Sequence, residues 1–329
     1  QTVNIPVLNG LPSASMTNIP LVPRSQEQTY TLLASDPSFA DVNGVKTWRI
    51  DWENDGIVDV TTTTPTVTKS HATAGTFQVR VTVEDKDGGI SNPFGYNYTV
   101  YEFATAPDAG NPSLTNLLYS GSPGADLMVF EANGLNSIRA YPIGTNPALG
   151  QVFNGITGRL IARGFEGDDE FIVRNIPRAT VSGDADHDTI RLEGVSGGNY
   201  DIDGNAGNDA IFVDAGSGFS ATLKGGNDTD TIIGGAGAES IDGGSGNDIL
   251  IGDRAAAGGN DTIVGGVGLD FIVGGAGVDS ITGGDGEDLI VTGWIADSLL
   301  VNPTLPSSGI AQIASQWLAP LPLATRLAY

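Results

Sequence analysis

The sequence predicts an all-β protein in which a β-sandwich is followed by a solenoid of parallel strands. Two observations favour this fold class. The first hundred or so residues alternate apolar and polar side chains with a period of two, and a glycine-rich nonapeptide recurs through residues 121–293. The chain has no cysteine, so disulfides are excluded. Glycine contributes 47 of the 329 residues, about twice its usual share, so closely spaced turns are expected.

The N-terminal region, residues 1–103, is predicted to be a sandwich of short antiparallel strands. Clear alternation with β-branched and aromatic residues occurs at 47–52 and 76–83. Asn54-Asp55-Gly56 and Asp87-Gly88-Gly89 are turn signals between such strands. The next residues, 104–120, are rich in alanine, proline and asparagine and are predicted to be a linker.

The repeat is clearest between residues 225 and 291. Each unit is a six-residue turn that ends in an acid and, except at Ala256, starts with glycine. A three-residue strand with a large apolar residue at its centre follows each turn. These central residues are predicted to face inward: Ile232, Ile241, Leu250, Ile263, Ile272, Ile281 and Ile290. Looser copies begin at Gly121, Gly164, Gly183 and Gly204, so one solenoid is expected over residues 121–293.

The spacing of the acids predicts a metal-binding function. Two nonapeptides make one coil of about 18 residues, so acids two repeats apart stack on one edge at about 4.8 Å. Asp169, Asp188 and Asp209 fall in register with Asp230. Such a column of like charges repels itself unless a cation lies between the turns. Ca²⁺, which takes 6–8 oxygen ligands, would be held by the acids and the glycine carbonyls.

This pattern resembles the hemolysin-type RTX calcium-binding repeat, GGxGxDxUx, over residues 225–291. The resemblance implies a parallel β-roll with several calcium ions between its turns. It implies ligands at Asp230, Asp248, Asp270 and Asp288 on one edge and at Glu239, Asp261 and Asp279 on the other. Asp228, in the turn of Asp230, is a further candidate ligand. Glu239 departs from the consensus aspartate, and Ala256 and Ala257 replace two consensus glycines.

The N-terminal region resembles the PKD domain, through residues 47–56 and the segment from His71 to Gly89. The resemblance implies an immunoglobulin-like sandwich. Where that family often has a glycine, this chain has Glu53 and Asn54. Its acids allow two interpretations, a further calcium site or carboxylates that stabilise turns; they are Asp51, Asp55, Asp59, Asp85 and Asp87.

Catalysis is not expected. His71 and His187 are the only histidines, and neither has the partners of a Ser-His-Asp triad or a zinc site. His71 falls where the PKD family has a structural histidine. Paired carboxylates of a glycosidase would look similar in sequence, but the repeat already accounts for the acids.

An arginine cluster over the first coils also has two interpretations. One is surface salt bridging, and the other is a patch for an acidic partner, either an anionic polysaccharide or another copy of the chain. The cluster comprises Arg139, Arg159, Arg163, Arg174, Arg178 and Arg191.

The overall balance points to an extracellular structural protein. A net charge of −24 disfavours nucleic acid and anionic membranes as partners, and no apolar run approaches the roughly 20 residues of a membrane span. We expect a secreted or bacterial cell-surface protein that self-associates into a filament, surface layer or matrix. The alternatives are a glycan-binding module of a secreted hydrolase or adhesin, and a calcium-triggered secretion tail. Residues 294–329 are predicted to form a short helical cap that ends before Pro320.

Overall fold

The computed structural model describes residues 11–17, 21–36, 47–195, 197–216, 219–254 and 258–293. The chain divides into two compact units, Gln1–Glu102 and Phe103–Tyr329. The predicted C-terminal cap, residues 294–329, lies outside the described residues. Within the described ranges, no helix has the length and apolar character needed to cross a membrane.

The N-terminal unit is a two-sheet sandwich of eight described strands. They are β1 (Ser13–Met16), β2 (Leu21–Pro23), β3 (Gln28–Ser35), β4 (Thr47–Asp51), β5 (Val60–Thr62), β6 (Thr66–Lys69), β7 (Gly75–Glu84) and β8 (Phe94–Tyr101). One sheet has the order β1-β3-β6 and the other β2-β8-β7-β4-β5. Neighbours are antiparallel except β2 and β8, and this arrangement confirms the predicted immunoglobulin-like sandwich.

The sandwich core follows directly from the alternation in sequence. Val79, Val81 and Val83 of β7 are fully buried, while the residues between them point outward. Trp48 and Ile50 of β4 fill the same core. Since burying one such side chain contributes about 1.5–3 kcal/mol, this pattern determines which face of each strand is inside.

The C-terminal unit is a parallel β-solenoid. Its first strands are β9 (Phe103–Pro107), β10 (Thr115–Ser120), β11 (Leu127–Ala132), β12 (Ser137–Pro142), β13 (Gln151–Asn154), β14 (Leu160–Phe165), β15 (Glu170–Arg174), β16 (Arg178–Ala185) and β17 (Thr189–Val195). A single 3₁₀ turn, Pro147–Leu149, precedes β13. The remaining strands are β18 (Gly198–Ala206), β19 (Ala210–Ala215), β20 (Phe219–Asn227), β21 (Thr231–Ile233), β22 (Ala238–Ser245), β23 (Ile249–Ile251), β24 (Thr262–Val267), β25 (Phe271–Val273), β26 (Ser280–Asp285) and β27 (Leu289–Val291).

From β13 onward, successive strands of the roll alternate between two sheets. The front sheet has the order β9-β10-β14-β16-β18-β20-β22-β24-β26, and the back sheet β13-β12-β11-β15-β17-β19-β21-β23-β25-β27. From β10 and β11 onward, each sheet gains one parallel strand per coil. The turns that lead from the front to the back sheet form the long edge of the roll, and the turns that lead back form the short edge.

The structure corrects the predicted linker. Residues 103–107 and 115–120 pair as antiparallel strands β9 and β10, and β10 also pairs with β14 in parallel. Leu117 and Tyr119 of β10 are buried in the core of the roll. The solenoid therefore begins before residue 121. Its two first edges are covered by antiparallel strands, β9 and the β12–β13 hairpin, which occupy hydrogen-bonding groups that an open sheet edge exposes.

The core of the roll is a stack of inward apolar side chains. One column runs Ile211, Ile232, Leu250 and Ile272 in direct register, and all four are buried. Ile281 is only half-buried and Ile290 of the last described coil is 39% exposed. A second buried cluster lies on the outward side of the back sheet, so its last coils bury apolar residues on both faces: Ile233, Ile251, Phe271 and Val273.

Candidate metal centre

The acids of the long edge form a continuous hydrogen-bonded ladder. In each turn, one carboxylate oxygen accepts the backbone N–H of the corresponding acid one coil earlier. The bonds run from Asp126 N to Asp169 Oδ1 at 2.6 Å and on to Asp270 N to Asp288 Oδ1 at 3.0 Å. The intermediate links join Asp169, Asp188, Asp209, Asp230, Asp248 and Asp270 at 2.8–2.9 Å. This ladder holds successive turns in register.

The second carboxylate oxygen lacks a hydrogen-bond donor at six described positions of this ladder. Among the described residues, nothing donates a hydrogen bond to the buried Oδ2 atoms of Asp169, Asp188, Asp209, Asp230, Asp248 and Asp270. The side chains themselves are at most 3% exposed. A buried, unpaired carboxylate oxygen is costly, so each turn contains an acceptor that needs a cation or a proton.

Glycine carbonyls complete the surroundings of these oxygens. A Cβ built on Gly225, the first residue of its turn, would overlap Asp230 Oδ2 and would lie 2.7 Å from the carbonyl oxygen of Gly243 in the next coil. The same arrangement recurs at Gly204, where the carbonyl is that of Gly225. Each repeat thus leaves a cradle bounded by a carboxylate oxygen and a carbonyl oxygen, which is the donor set that Ca²⁺ prefers.

Burial makes these carboxyl groups weak acids. It raises the pKa of Asp188 and of Asp230 to about 8, and that of Asp248 to about 7. Neighbouring acids add to the rise, and the backbone N–H of the ladder opposes it. The pKa is likewise raised to about 7 at Asp169 and to about 6 at Asp209 and Asp270. Desolvation therefore destabilises the ionised carboxylates of this ladder unless a cation binds beside them.

The short edge repeats the ladder over fewer coils. Glu239 N donates to Asp261 Oδ1 at 2.9 Å, and Asp261 N donates to Asp279 Oδ1 at 3.1 Å. Glu239 and Asp261 are buried, whereas Asp279 is half-buried. Both oxygens of Glu239 lack a hydrogen-bond donor in the described part of the chain. The short edge therefore has its acid ladder over fewer coils than the long edge.

Sequence reasoning missed Asp253. This residue follows Gly252 in the four-residue insertion that interrupts the repeat, and it is fully buried. One ligand atom each from Glu239, Asp253 and Asp261 lies within 4.8 Å of the other two. The available signal was an aspartate at the border of an insertion, outside the repeating phase.

Asp228 does not join the cradle. It occupies the fourth position of its turn with φ of 72°, where most other turns have glycine, and its side chain is exposed. A Cβ on Gly246 would overlap the Asp228 carbonyl oxygen. The backbone of Asp228, and not its carboxylate, therefore contacts the turn of the next coil.

A second ladder, also missed, runs along the fifth turn position. Asp168 Oδ1 accepts the N–H of His187, His187 Nδ1 accepts that of Asn208, and Asn208 Oδ1 accepts that of Thr229. Each acceptor belongs to the earlier coil, so these bonds run opposite to those of the acid ladder. The exposed His187 is hence part of the coil-to-coil stacking. The changing residue type concealed this ladder in the sequence.

The acids of the sandwich stabilise turns. Asp51 accepts the backbone N–H groups of Asp55 and Gly56, and Asp85 Oδ1 accepts those of Asp87 and Gly89. Asp59 Oδ2 accepts the N–H of Trp52 at 2.7 Å, and Asp55 Oδ1 accepts that of Ile57. These contacts support the turn interpretation; calcium binding by this unit stays a prediction.

His71 is a core residue of the sandwich. It is buried, and its Nε2 lies 3.1 Å from Tyr98 Oη. Its ring packs against Phe77, with ring centroids 5.0 Å apart. Burial, with a contribution from Lys69, lowers its pKa to about 4, so it is neutral in this apolar setting.

The six arginines divide between the two sheets. Arg174 pairs with Glu193 at 2.7 Å, and Arg191 lies 3.5 Å from Glu170 and 4.6 Å from the Phe212 ring centroid, all on the back sheet. On the front sheet, Arg163 pairs with Asp184 at 3.0 Å. Arg159 donates to Thr180 Oγ1 and Arg178 donates to the Thr157 carbonyl, while Arg139 lies on β12. The salt-bridge interpretation holds for three of them, and binding of an acidic partner stays a prediction.

Comparisons with known proteins agree with the repeat. The family model described as the RTX calcium-binding nonapeptide repeat (4 copies) matches residues 196–220, 216–250 and 256–290. No curated protein matches the chain.

Two solved structures are each 19% identical to this chain with a TM-score of 0.23. The PKD domain of an M14-like peptidase from Thermoplasmatales archaeon SCGC AB-540-F20 matches over 28% of this chain and 97% of that domain. The fibronectin(III)-like modules of Clostridium thermocellum CbhA match over 27% of this chain and 46% of that structure.

The fold and the edge carboxylates define a parallel β-solenoid in which oxygen-lined turns stack on one another. More particularly, residues 196–250 and 256–290 of this unit match the RTX calcium-binding repeat, and the unit follows an immunoglobulin-like domain. The predicted RTX β-roll with an N-terminal immunoglobulin-like sandwich is thereby confirmed.

Proposed function

We propose that the protein is an extracellular calcium-binding structural protein, whose calcium-loaded β-roll is a rigid subunit of a surface filament, surface layer or matrix. The single observation that carries the proposal is the ladder of buried carboxylates, each with one oxygen lacking a donor, from Asp169 to Asp270. Such a column has no stable ionised form without cations between the turns. We place its site of action outside the cell, where calcium is plentiful.

The ligands would be provided by residues of adjacent coils. Asp230 Oδ2 and the carbonyl of Gly243 face the same cradle, and equivalent pairs recur along the edge. Bound calcium would neutralise the carboxylates and cross-link neighbouring turns. The Oδ1 bonds of the ladder keep each carboxylate oriented, so that its second oxygen points into the cradle.

A structural role is supported by what the roll exposes. The outward side chains of the front sheet form ion pairs and hydrogen bonds with one another, such as Arg163 with Asp184 and Asn205 with Ser182. The described acids that lack donors are concentrated at the turns. Calcium binding would thus stiffen the whole stack of coils, which suits a load-bearing subunit.

Electron microscopy and sedimentation of the full chain test the proposal. In millimolar calcium we expect polymers or sheets that disperse when a chelator is added. A double variant, Asp230→Asn with Asp248→Asn, should assemble poorly, while Asp201→Asn, an exposed charge on the front sheet, should assemble normally. A folded monomer at all calcium concentrations would overturn the structural role.

A glycan-binding module is the second candidate, and one surface favours it. The outward face of the front sheet has a polar groove lined by Ser182, Asp203, Asn205 and Lys224. Hydroxyl, amide and charged groups in a row offer both donors and acceptors to a sugar chain. Binding of soluble polysaccharides to the full chain, lost in Lys224→Ala, would favour this function over the structural one.

A further inference from the structure

The carboxylate group at the start of the short edge differs from every regular turn. Glu239 and Asp261 occupy the acid position of the repeat, but Asp253 comes from the insertion between two repeats. All three side chains are at most 3% exposed. Both oxygens of Glu239, both of Asp253 and Oδ2 of Asp261 have no hydrogen-bond donor among the described residues.

The geometry of the group suits calcium. Three ligand oxygens lie within 4.8 Å of one another. One ion can contact all three, because two oxygens on opposite sides of a calcium ion are about 4.8 Å apart, twice a bond of about 2.4 Å.

Among the described residues, the neighbours of Glu239 are apolar or acidic. Toward the preceding coil, Glu239 stacks on Ala221 and not on an acid. A Cβ on Gly237 would overlap the Phe219 ring and lie 2.8 Å from Glu239 Oε1, so an apolar ring borders the carboxylate. Burial first, and then the carboxylate of Asp261, raise the pKa of Glu239.

Asp253 experiences the same environment. Burial, then the Asp261 carboxylate, raise its pKa to about 7. The amides of Gly259 and Ala276 lie close enough to limit that rise, although neither makes a hydrogen bond of normal geometry with it. A Cβ on Gly258 would overlap both Asp253 oxygens, so the carboxylate lies directly against the backbone of this glycine.

We propose that Glu239, Asp253 and Asp261 form a calcium site of higher affinity than the sites between regular turns, and that it fills first. The inference rests on the proposed calcium-binding function and concerns the role of Asp253, which no repeat position supplies. Three carboxylates give this site a formal charge of −3, and calcium affinity rises with the number of charged ligands. The short edge thus begins at its strongest site.

Calcium titration of the full chain against a chromophoric chelator tests this assignment. For Asp253→Asn we expect the tightest class to lose one ion per chain and its affinity to weaken at least about tenfold, since one of three charged ligands is lost. The matched control is Asp242→Asn, which removes one exposed charge from β22, the strand that also contains Glu239. It should titrate like the unmodified chain.

The titrations distinguish failure of the high-affinity site from failure of the proposed calcium-binding function. If the unmodified chain binds calcium and Asp253→Asn gives a superimposable titration, the proposal of a high-affinity site at Asp253 is wrong. The proposed calcium-binding function is then unaffected. If the unmodified chain binds no calcium, the proposed function itself fails. Should Asp253→Asn not fold, as judged by circular dichroism in calcium, Glu239→Gln is titrated instead, and an unchanged tightest class in that variant overturns the proposal.

Discussion

At the scale of single residues, the turn acids have two separate tasks carried by two oxygens. Oδ1 of Asp230 accepts the N–H of Asp209 at 2.8 Å, whereas Oδ2 has no donor among the described residues. An asparagine in the same rotamer would keep the amide oxygen for the first task and remove the charge required for the second. The two tasks can therefore be separated experimentally.

Asp230→Asn should have opposite effects in chelator and in calcium. In chelator at mildly alkaline pH, the variant should melt at a higher temperature than the unmodified chain, because a buried charge is removed while the ladder bond is kept. In millimolar calcium it should melt at a lower temperature, because ligand charge is lost. Thermal unfolding followed by circular dichroism measures both. A drop of equal size in both conditions would show that the carboxylate has only a structural role.

Gly243→Ala tests the cradle itself. The added Cβ would overlap Asp248 Oδ2 and lie 2.5 Å from the Gly265 carbonyl oxygen, so it fills the space between the two proposed ligands. The stabilisation by calcium should decrease by about 2.7 kcal/mol per lost site when free calcium is about a hundred times Kd. Gly216→Ala is the control, since a Cβ at this position meets no atom of the described residues within 4 Å. Equal calcium-induced shifts in both variants would contradict the cradle.

At the scale of strands and turns, most of the correct predictions came from the constant spacing of the nonapeptide repeat. Because the period holds over many units, the inward residues from Ile232 to Ile272 and the register of the acids followed from spacing alone. Strand β10 was missed because the segment just before it, Pro107 to Pro112, has the composition of a linker. The strand itself is only six residues long, too short for a clear alternation. Asp253 was missed because residues in an insertion have no assigned position in the repeat. The ladder at the fifth turn position was missed because its residues differ in type.

The central isoleucines of two coils should differ in their contribution to stability. Ile263 is fully buried in the stack, while Ile290, at the equivalent repeat position, is 39% exposed. Truncation to alanine should cost about 2–5 kcal/mol at Ile263 and distinctly less at Ile290. Urea unfolding in calcium compares the two free energies of unfolding. Equal losses would mean that the last described coil is packed as tightly as the middle ones.

At the scale of the whole molecule, the carboxylate ladders link stability to pH in a direction that calcium reverses. Burial raises the pKa of Asp188 and Asp230 to about 8 and that of Asp209 to about 6, whereas an unfolded aspartate titrates near 3.9. The folded chain without metal therefore binds more protons than the unfolded chain between these values. Its stability is present at low pH and is lost as the pH rises through about 6 to 8.

With calcium the dependence should change sign, because the metal competes with protons for the same oxygens. In chelator, the melting temperature should fall from about pH 5 to about pH 9. In millimolar calcium it should rise over the range in which the carboxyl groups ionise. The gap between the two curves should thus be smallest near pH 5 and largest near pH 9. Parallel curves in chelator and calcium would show that the buried carboxylates are not the calcium ligands, whatever the roll binds elsewhere.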